Sequence, residues 1–216
     1  LLENDPDLKL FRENSERYGS NDFLIVTFTP KDELLSESSI LLIKKIVNEI
    51  ASFNRVESVL SLLDVPLLEN NPNISLSDVA ENVETLNSKN PNLELAKRVF
   101  SSNDVYRNLL ISEDLKTTAF QVTLKRNVNY ENLINQRYSI YDLKTPDKEQ
   151  RLISVNELIE QEKNMLSIED EKLVSSMRNL LDSYQDFGEF FLGGGAMITV
   201  DTIRFISQDL TVFGIS

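Results

Sequence analysis

Thr118, Phe120, Val122 and Leu124 alternate with Ala119, Gln121, Thr123 and Lys125, the period-two spacing of a strand with one face on a core and the other near water. A short amphipathic turn, Val105 to Ile111, leads to it through the polar corner Ser112-Glu113-Asp114. Phe23 to Thr29 is an apolar, β-branched and aromatic run between the turn-rich Tyr18-Gly19-Ser20-Asn21-Asp22 and Pro30, which predicts a buried strand. Ile43, Ile46, Val47 and Ile50 then recur at helical spacing behind Ser36 or Ser38 as cap, with Lys44, Lys45, Asn48 and Glu49 facing away. Val56 to Leu63 returns as a second strand and completes a β-α-β unit.

From Asp64 to Asn103 the chain turns Asn- and Ser-rich, with Pro66, Pro72 and Pro91, and reads as a helical insertion. One helix starts at Ser75 or Ser77; another takes Asn90 as cap and Pro91 as its first position. Residues 126–150 are polar, without a clear period, and predict an irregular crossover around Asn127, Asn129, Asn132, Asn135 and Pro146. Capping-box spacing in Ser154-Val155-Asn156-Glu157 and Ser167-Ile168-Glu169-Asp170 predicts two helices, or one helix broken near Ser167. Leu173, Val174, Met177, Leu180, Leu181 and Tyr184 form the apolar face of the second, Gly188 ends it, and Glu189 to Leu192 is a fourth strand. The sum is α+β: a ferredoxin-like, split β-α-β sandwich with helices on one face of the sheet. Its expected body runs over residues 23–195, with the helical insertion at 64–103, after a lead-in of 1–22 and before an exit segment of 196–216.

Charge narrows the partners. A formal net charge of −13 with scattered Lys and Arg argues against a nucleic-acid partner and against docking on anionic lipid through a basic patch. With no Cys and no His, disulfides, thiol chemistry, imidazole-activated nucleophiles and the usual zinc sites are absent; a carboxylate-only site for a hard cation stays open. No apolar run is long enough to span a bilayer. The opening Leu1-Leu2-Glu3-Asn4-Asp5-Pro6 lacks both an initiator Met and a signal-peptide pattern, and reads as the start of a piece of a longer chain.

Few residues stand out as chemistry. Gly193-Gly194-Gly195 lies where phosphate loops occur but lacks both G-x-G-x-x-G spacing and a Gly-Lys-Ser/Thr end, so a hinge is the expected role. Glu113 and Asp114, and the run Glu169-Asp170-Glu171, read as a turn and as charge at a helix N-terminus rather than as acid-base pairs. Phe190-Phe191, and Phe205 with Phe213, are expected to pack in the core rather than line a ligand path. Ile198, Ile203, Ile206 and Leu210 suit a helix lying on a surface, with Asp201, Arg204 and Asp209 keeping it out of lipid.

Four separated stretches resemble one family, the extracytoplasmic loops of resistance-nodulation-division (RND) superfamily exporters, in the branch of hydrophobe and amphiphile exporters and Patched-like transporters. Tyr18 to Asp22 leading into Phe23 to Phe28 is similar to the family's turn before its first porter strand, and Val56 to Leu62 to the strand after its first helix. Val105 to Ser112, with Asp114 and Thr117 to Leu124, resembles the stretch in which a short helix meets the central strand; Gly195-Ala196-Met197 through Asp209-Leu210 resembles the approach to the second membrane helix. One corner departs: Glu113-Asp114-Leu115-Lys116 stands where the family often has Asp-Gly.

The resemblance implies a porter domain on the extracytoplasmic side of a cell membrane, with no catalytic residue, no cofactor and no metal. It implies a lipid or other hydrophobic substrate, and as partner the rest of the same transmembrane chain; a homo-oligomer stays open. The proton-coupling carboxylates of the family lie in membrane helices outside this segment, and Gly193, Gly194 and Gly195 become the candidate hinge. Both ends of the domain must then face one membrane plane. The alternative is a free-standing ligand-binding or protein-interaction module of the same fold; a carboxylate- or metal-dependent enzyme needs acidic side chains to converge in one cleft.

Overall fold

A computed structural model describes residues 22–202, except 69–83 and the single positions 104, 108, 142, 196, 199 and 200. Four strands form one antiparallel sheet: β1 (Phe23–Pro30), β2 (Val56–Leu60), β3 (Thr118–Leu124) and β4 (Gly188–Gly194), in the order β2-β3-β1-β4. The chain is thus α+β, and β1 and β2, joined through a helix, are separated in the sheet by β3. The first three strands lie where the hydrophobic pattern puts them, although β2 stops at Leu60 and leaves Leu62 and Leu63 buried in the turn beyond it.

Alternation decides which face is covered. Leu24, Val26 and Phe28 pair with Val122, Phe120 and Thr118 across the β1–β3 ladder, and all six are buried. On that face lies α1 (Glu37–Ala51), which buries Ile40, Ile43, Ile46 and Ile50 and is capped by Ser36, whose hydroxyl accepts the Ser39 N–H at 3.3 Å. Leu173, Met177 and Leu181 join the same core from α4 (Lys148–Asp182), Tyr184 joins it from just beyond that helix, and Ala96, Val99 and Phe100 join it from α2 (Leu93–Ser102). The opposite face carries Phe23, Gln121 and Phe191 exposed, with no helix packed on it among the described residues.

Several expectations need correction. The cap of α2 is Asn92, whose side-chain oxygen accepts the Leu95 N–H at 3.0 Å, so Asn90 and Pro91 precede the helix. The proposed helix at Ser75 or Ser77 falls outside the described residues. Below it, Leu67 N–H bonds to the Glu84 carbonyl at 2.8 Å and Asn87 N–H to that of Leu63 at 3.2 Å, closing the base of the insertion while Val65, Leu67 and Leu86 join the core.

The crossover at 126–150 is largely a helix, α3 (Val128–Tyr141), which starts where the Asn127 side chain accepts the Tyr130 N–H at 2.9 Å. Its apolar residues are thinly spaced because they serve a small second core: Ile140, with Tyr130, Leu133 and Ile134 around it, meets Val155 and Ile159 of α4. In turn α4 is unbroken for 35 residues, about 52 Å. Ser154 is no cap; its hydroxyl bonds back to the Gln150 carbonyl at 3.1 Å within the helix. The helix ends at Asp182, a 3-10 turn (Gln185–Phe187) follows, and Gly188 opens β4 rather than closing the helix.

Candidate functional site

β1 and β4 run antiparallel, with Leu24 opposite Gly194 and Pro30 opposite Gly188. The chain therefore enters the sheet at Phe23 and leaves it after Gly194 at the same end of the same two strands. Of the three candidate hinge glycines, Gly193 and Gly194 are part of the ladder, and Gly195 starts the helical segment that follows. Gly194 has φ +127°, and a Cβ there would lie 2.7 Å from the Phe23 carbonyl oxygen; at Gly193 and Gly195 a Cβ would meet nothing within 4 Å. After the strand, Asp201 accepts two hydrogen bonds from an Arg178 Nη of α4, at 2.9 and 3.0 Å, which clasps the exit segment to the helix. Met197 packs partly on the core and Ile198 is exposed; Phe205 and Phe213 lie outside the described residues.

The expectation for Phe190-Phe191 is half met. Phe190 stacks on Phe28 with ring centroids 4.3 Å apart, whereas Phe191, one residue on and hence on the other face, is 68% exposed. A groove of about 660 Å³ runs along Gly188 to Leu192 of β4, with Arg178, Leu181 and Asp182 of α4 and Gln185 of the turn after it as its other wall. A second cavity of similar size lies by the end of β3, with Phe53, Arg55, Lys125, Arg126, Lys172 and Leu173 among its walls. Its guanidiniums are engaged: Arg126 is held by both Glu131 oxygens, at 2.7 and 2.6 Å, and Arg55 Nε donates to Asp170 at 3.2 Å.

The acidic candidates do not converge. Glu169, Asp170 and Glu171 lie in the middle of α4, not at a helix N-terminus, because that helix starts at Lys148. Burial pushes the Asp170 carboxyl above its usual range, although the Arg55 guanidinium pulls the other way. Asp114 belongs to the corner before β3: it accepts the Ser112 hydroxyl at 2.6 Å and the Lys116 N–H at 3.2 Å, and the Ser112 hydroxyl bond is the leading cause that holds its carboxyl below the usual range. Among the described residues no group of three or more acidic side chains is placed to hold a metal ion, and no helix is long and apolar enough to cross a membrane.

The corner also contains what residue typing alone misses. Leu115 has φ +56°, the left-handed region, and is the non-glycine residue with positive φ among those described. Ser112 holds it there by accepting the Thr117 N–H at 2.9 Å and the Lys116 N–H at 3.2 Å on one hydroxyl oxygen. Comparison with family models gave no match, and comparison with curated proteins gave none either.

Proposed function

We propose that this chain is a porter domain of an RND-type membrane exporter, held on the extracytoplasmic side and forming part of the path of a lipid or other hydrophobic compound. The observation that carries the reading is the pairing of Leu24 with Gly194, which brings the incoming and outgoing chain side by side. A domain hung between two consecutive membrane helices needs that arrangement, since both attachments meet one bilayer plane. The strand order β2-β3-β1-β4, with helices on one face, supports the finer fold as ferredoxin-like.

Two local features point the same way. Leu115 adopts the left-handed backbone within the corner Glu113 to Lys116, where the resembling family often has Asp-Gly, so the corner has a shape that suits glycine although it contains none. The stretch from Gly195 is tied to α4 by the Arg178–Asp201 pair, a contact through which a shift of one chain end reaches the core helix. In this reading the domain makes and breaks no bonds; it moves with helices beyond its own ends, and of the candidate hinge glycines Gly195, past the end of the ladder, is the one that flexes. Export of a fluorescent hydrophobic compound from cells expressing the full-length protein tests it: loss of export on collapse of the proton gradient is expected, and no export above that of cells lacking the gene sinks the proposal.

A further inference from the structure

The two edges of the sheet are built differently. β2 is protected: it has five residues, its register against β3 shifts between Val56 and Ser58, and it carries Glu57. Short length, irregular pairing and charge are the usual ways of keeping another strand off an edge. At the other edge β4 pairs with β1 in unbroken register over seven residues, Gly188–Gly194, with no Lys, no Pro and Glu189 as its single charge. Among the described residues no backbone group bonds to β4 on its outer side. Beside that edge lies the groove walled by the last turns of α4.

We propose that β4 and α4 form a docking groove for an extended segment of a partner polypeptide, one that carries Lys or Arg among apolar residues. An added strand would pair with the outer backbone of β4 over Gly188 to Leu192, roughly 17 Å at the strand repeat. Its alternate side chains fall on the two faces of the extended sheet: one set beside Phe190, Leu192 and Leu181, the other beside the exposed Phe191. The charge preference comes from the rim. Asp182 on the α4 side and Glu189 on the side of Phe191 are exposed carboxylates, one for each face of the added strand, whereas the charge of Arg178 is matched by Asp201. A second copy of this chain would bring the same carboxylates and a formal charge of −13, so a basic strand fits where a self-pair is repelled. This inference does not depend on the transport reading.

The test uses the 216-residue chain and a fluorescein-labelled nonapeptide of alternating Lys and Val, compared with its Glu–Val counterpart and with a backbone N-methylated Lys–Val peptide. Saturable binding of the Lys–Val peptide is expected, weakened about tenfold or more by N-methylation, which removes the strand's donors. Amide exchange should slow within 188–194. Asp182→Lys with Glu189→Lys, at two exposed positions that leave the core untouched, should reverse the preference between the Lys–Val and Glu–Val peptides. No saturable binding, binding indifferent to N-methylation, or protection elsewhere than β4 overturns the proposal. So does a dimer in sedimentation whose formation slows exchange in β4, since the occupant would then be a second copy.

Discussion

Leu24 and Gly194 face each other at the open end of the β1–β4 ladder, and the fit between them is tight: a Cβ on Gly194 would lie 3.0 Å from the Leu24 Cα and 3.2 Å from its Cδ2. With φ at +127° the position resists any L side chain twice over, through space and through backbone conformation. Gly194→Ala is expected to cost about 2 kcal/mol or more in urea unfolding. Gly193→Ala, one residue earlier and with open space around its Cβ, should stay within about 0.5 kcal/mol. Equal effects at the two positions would contradict the packing described for this end of the sheet.

Leu115 gives a prediction of opposite sign. Its left-handed backbone costs about 1 kcal/mol or more relative to glycine, while its half-buried side chain packs on the core. Leu115→Ala loses the packing and keeps the strain; Leu115→Gly loses both. The Gly variant should therefore be more stable than the Ala variant by about 1 kcal/mol, read from their thermal or urea midpoints. The reverse order would show that the corner relaxes out of the left-handed region when the leucine is removed.

The same corner should be felt in acid. The Asp114 carboxyl, bonded by the Ser112 hydroxyl and the Lys116 N–H, titrates below its ordinary value of 3.8. A carboxyl depressed in the folded state stabilises it above the unfolded value, and that contribution disappears as pH falls through the folded value. The stability gap between the parent chain and Asp114→Ala should be full at pH 6 and shrink below about pH 3.8. A gap independent of pH would remove the ionised carboxylate from the account.

A part-buried polar bond joins α1 to the turn that follows α4. Tyr184 is 6% exposed, and its hydroxyl donates to Glu49 Oε1 at 2.8 Å. Tyr184→Phe keeps the ring in place and leaves the carboxylate short of one donor, so a loss of about 1–2 kcal/mol is expected at pH 7. Glu49→Gln as a second change should add little, because the partner is already gone.

What the sequence made legible follows from how strongly each segment is constrained. Phe120 and Val122 alternate cleanly because β3 is a central strand with one buried face, and Ile43, Ile46 and Ile50 keep helical spacing because α1 lies flat on that face. α3 was hidden because it packs on another helix rather than on the sheet, so Leu133, Ile134 and Ile140 sit among Asn, Glu and Tyr without a full apolar stripe. The cap signal at Ser154 misled for a physical reason: the same hydroxyl that can cap a helix can bond to a carbonyl four residues back inside one. The groove beside β4 left no motif, because an open sheet edge is a property of strand order; Glu189 and Phe191 acquire their meaning from Asp182 and Leu181, which come from another element.

Which side of a membrane the domain occupies can be measured directly. Met165 lies on α4 and is 53% exposed, and the 216 residues contain no cysteine. Met165→Cys in the full-length protein, with any cysteines elsewhere in the chain replaced, can be reacted in intact cells with a maleimide that does not cross membranes. A porter domain on the extracytoplasmic side predicts labelling before lysis, once the reagent can reach that side, to the same extent as after it. Labelling only after the cells are broken would place the domain in the cytoplasm and contradict the account.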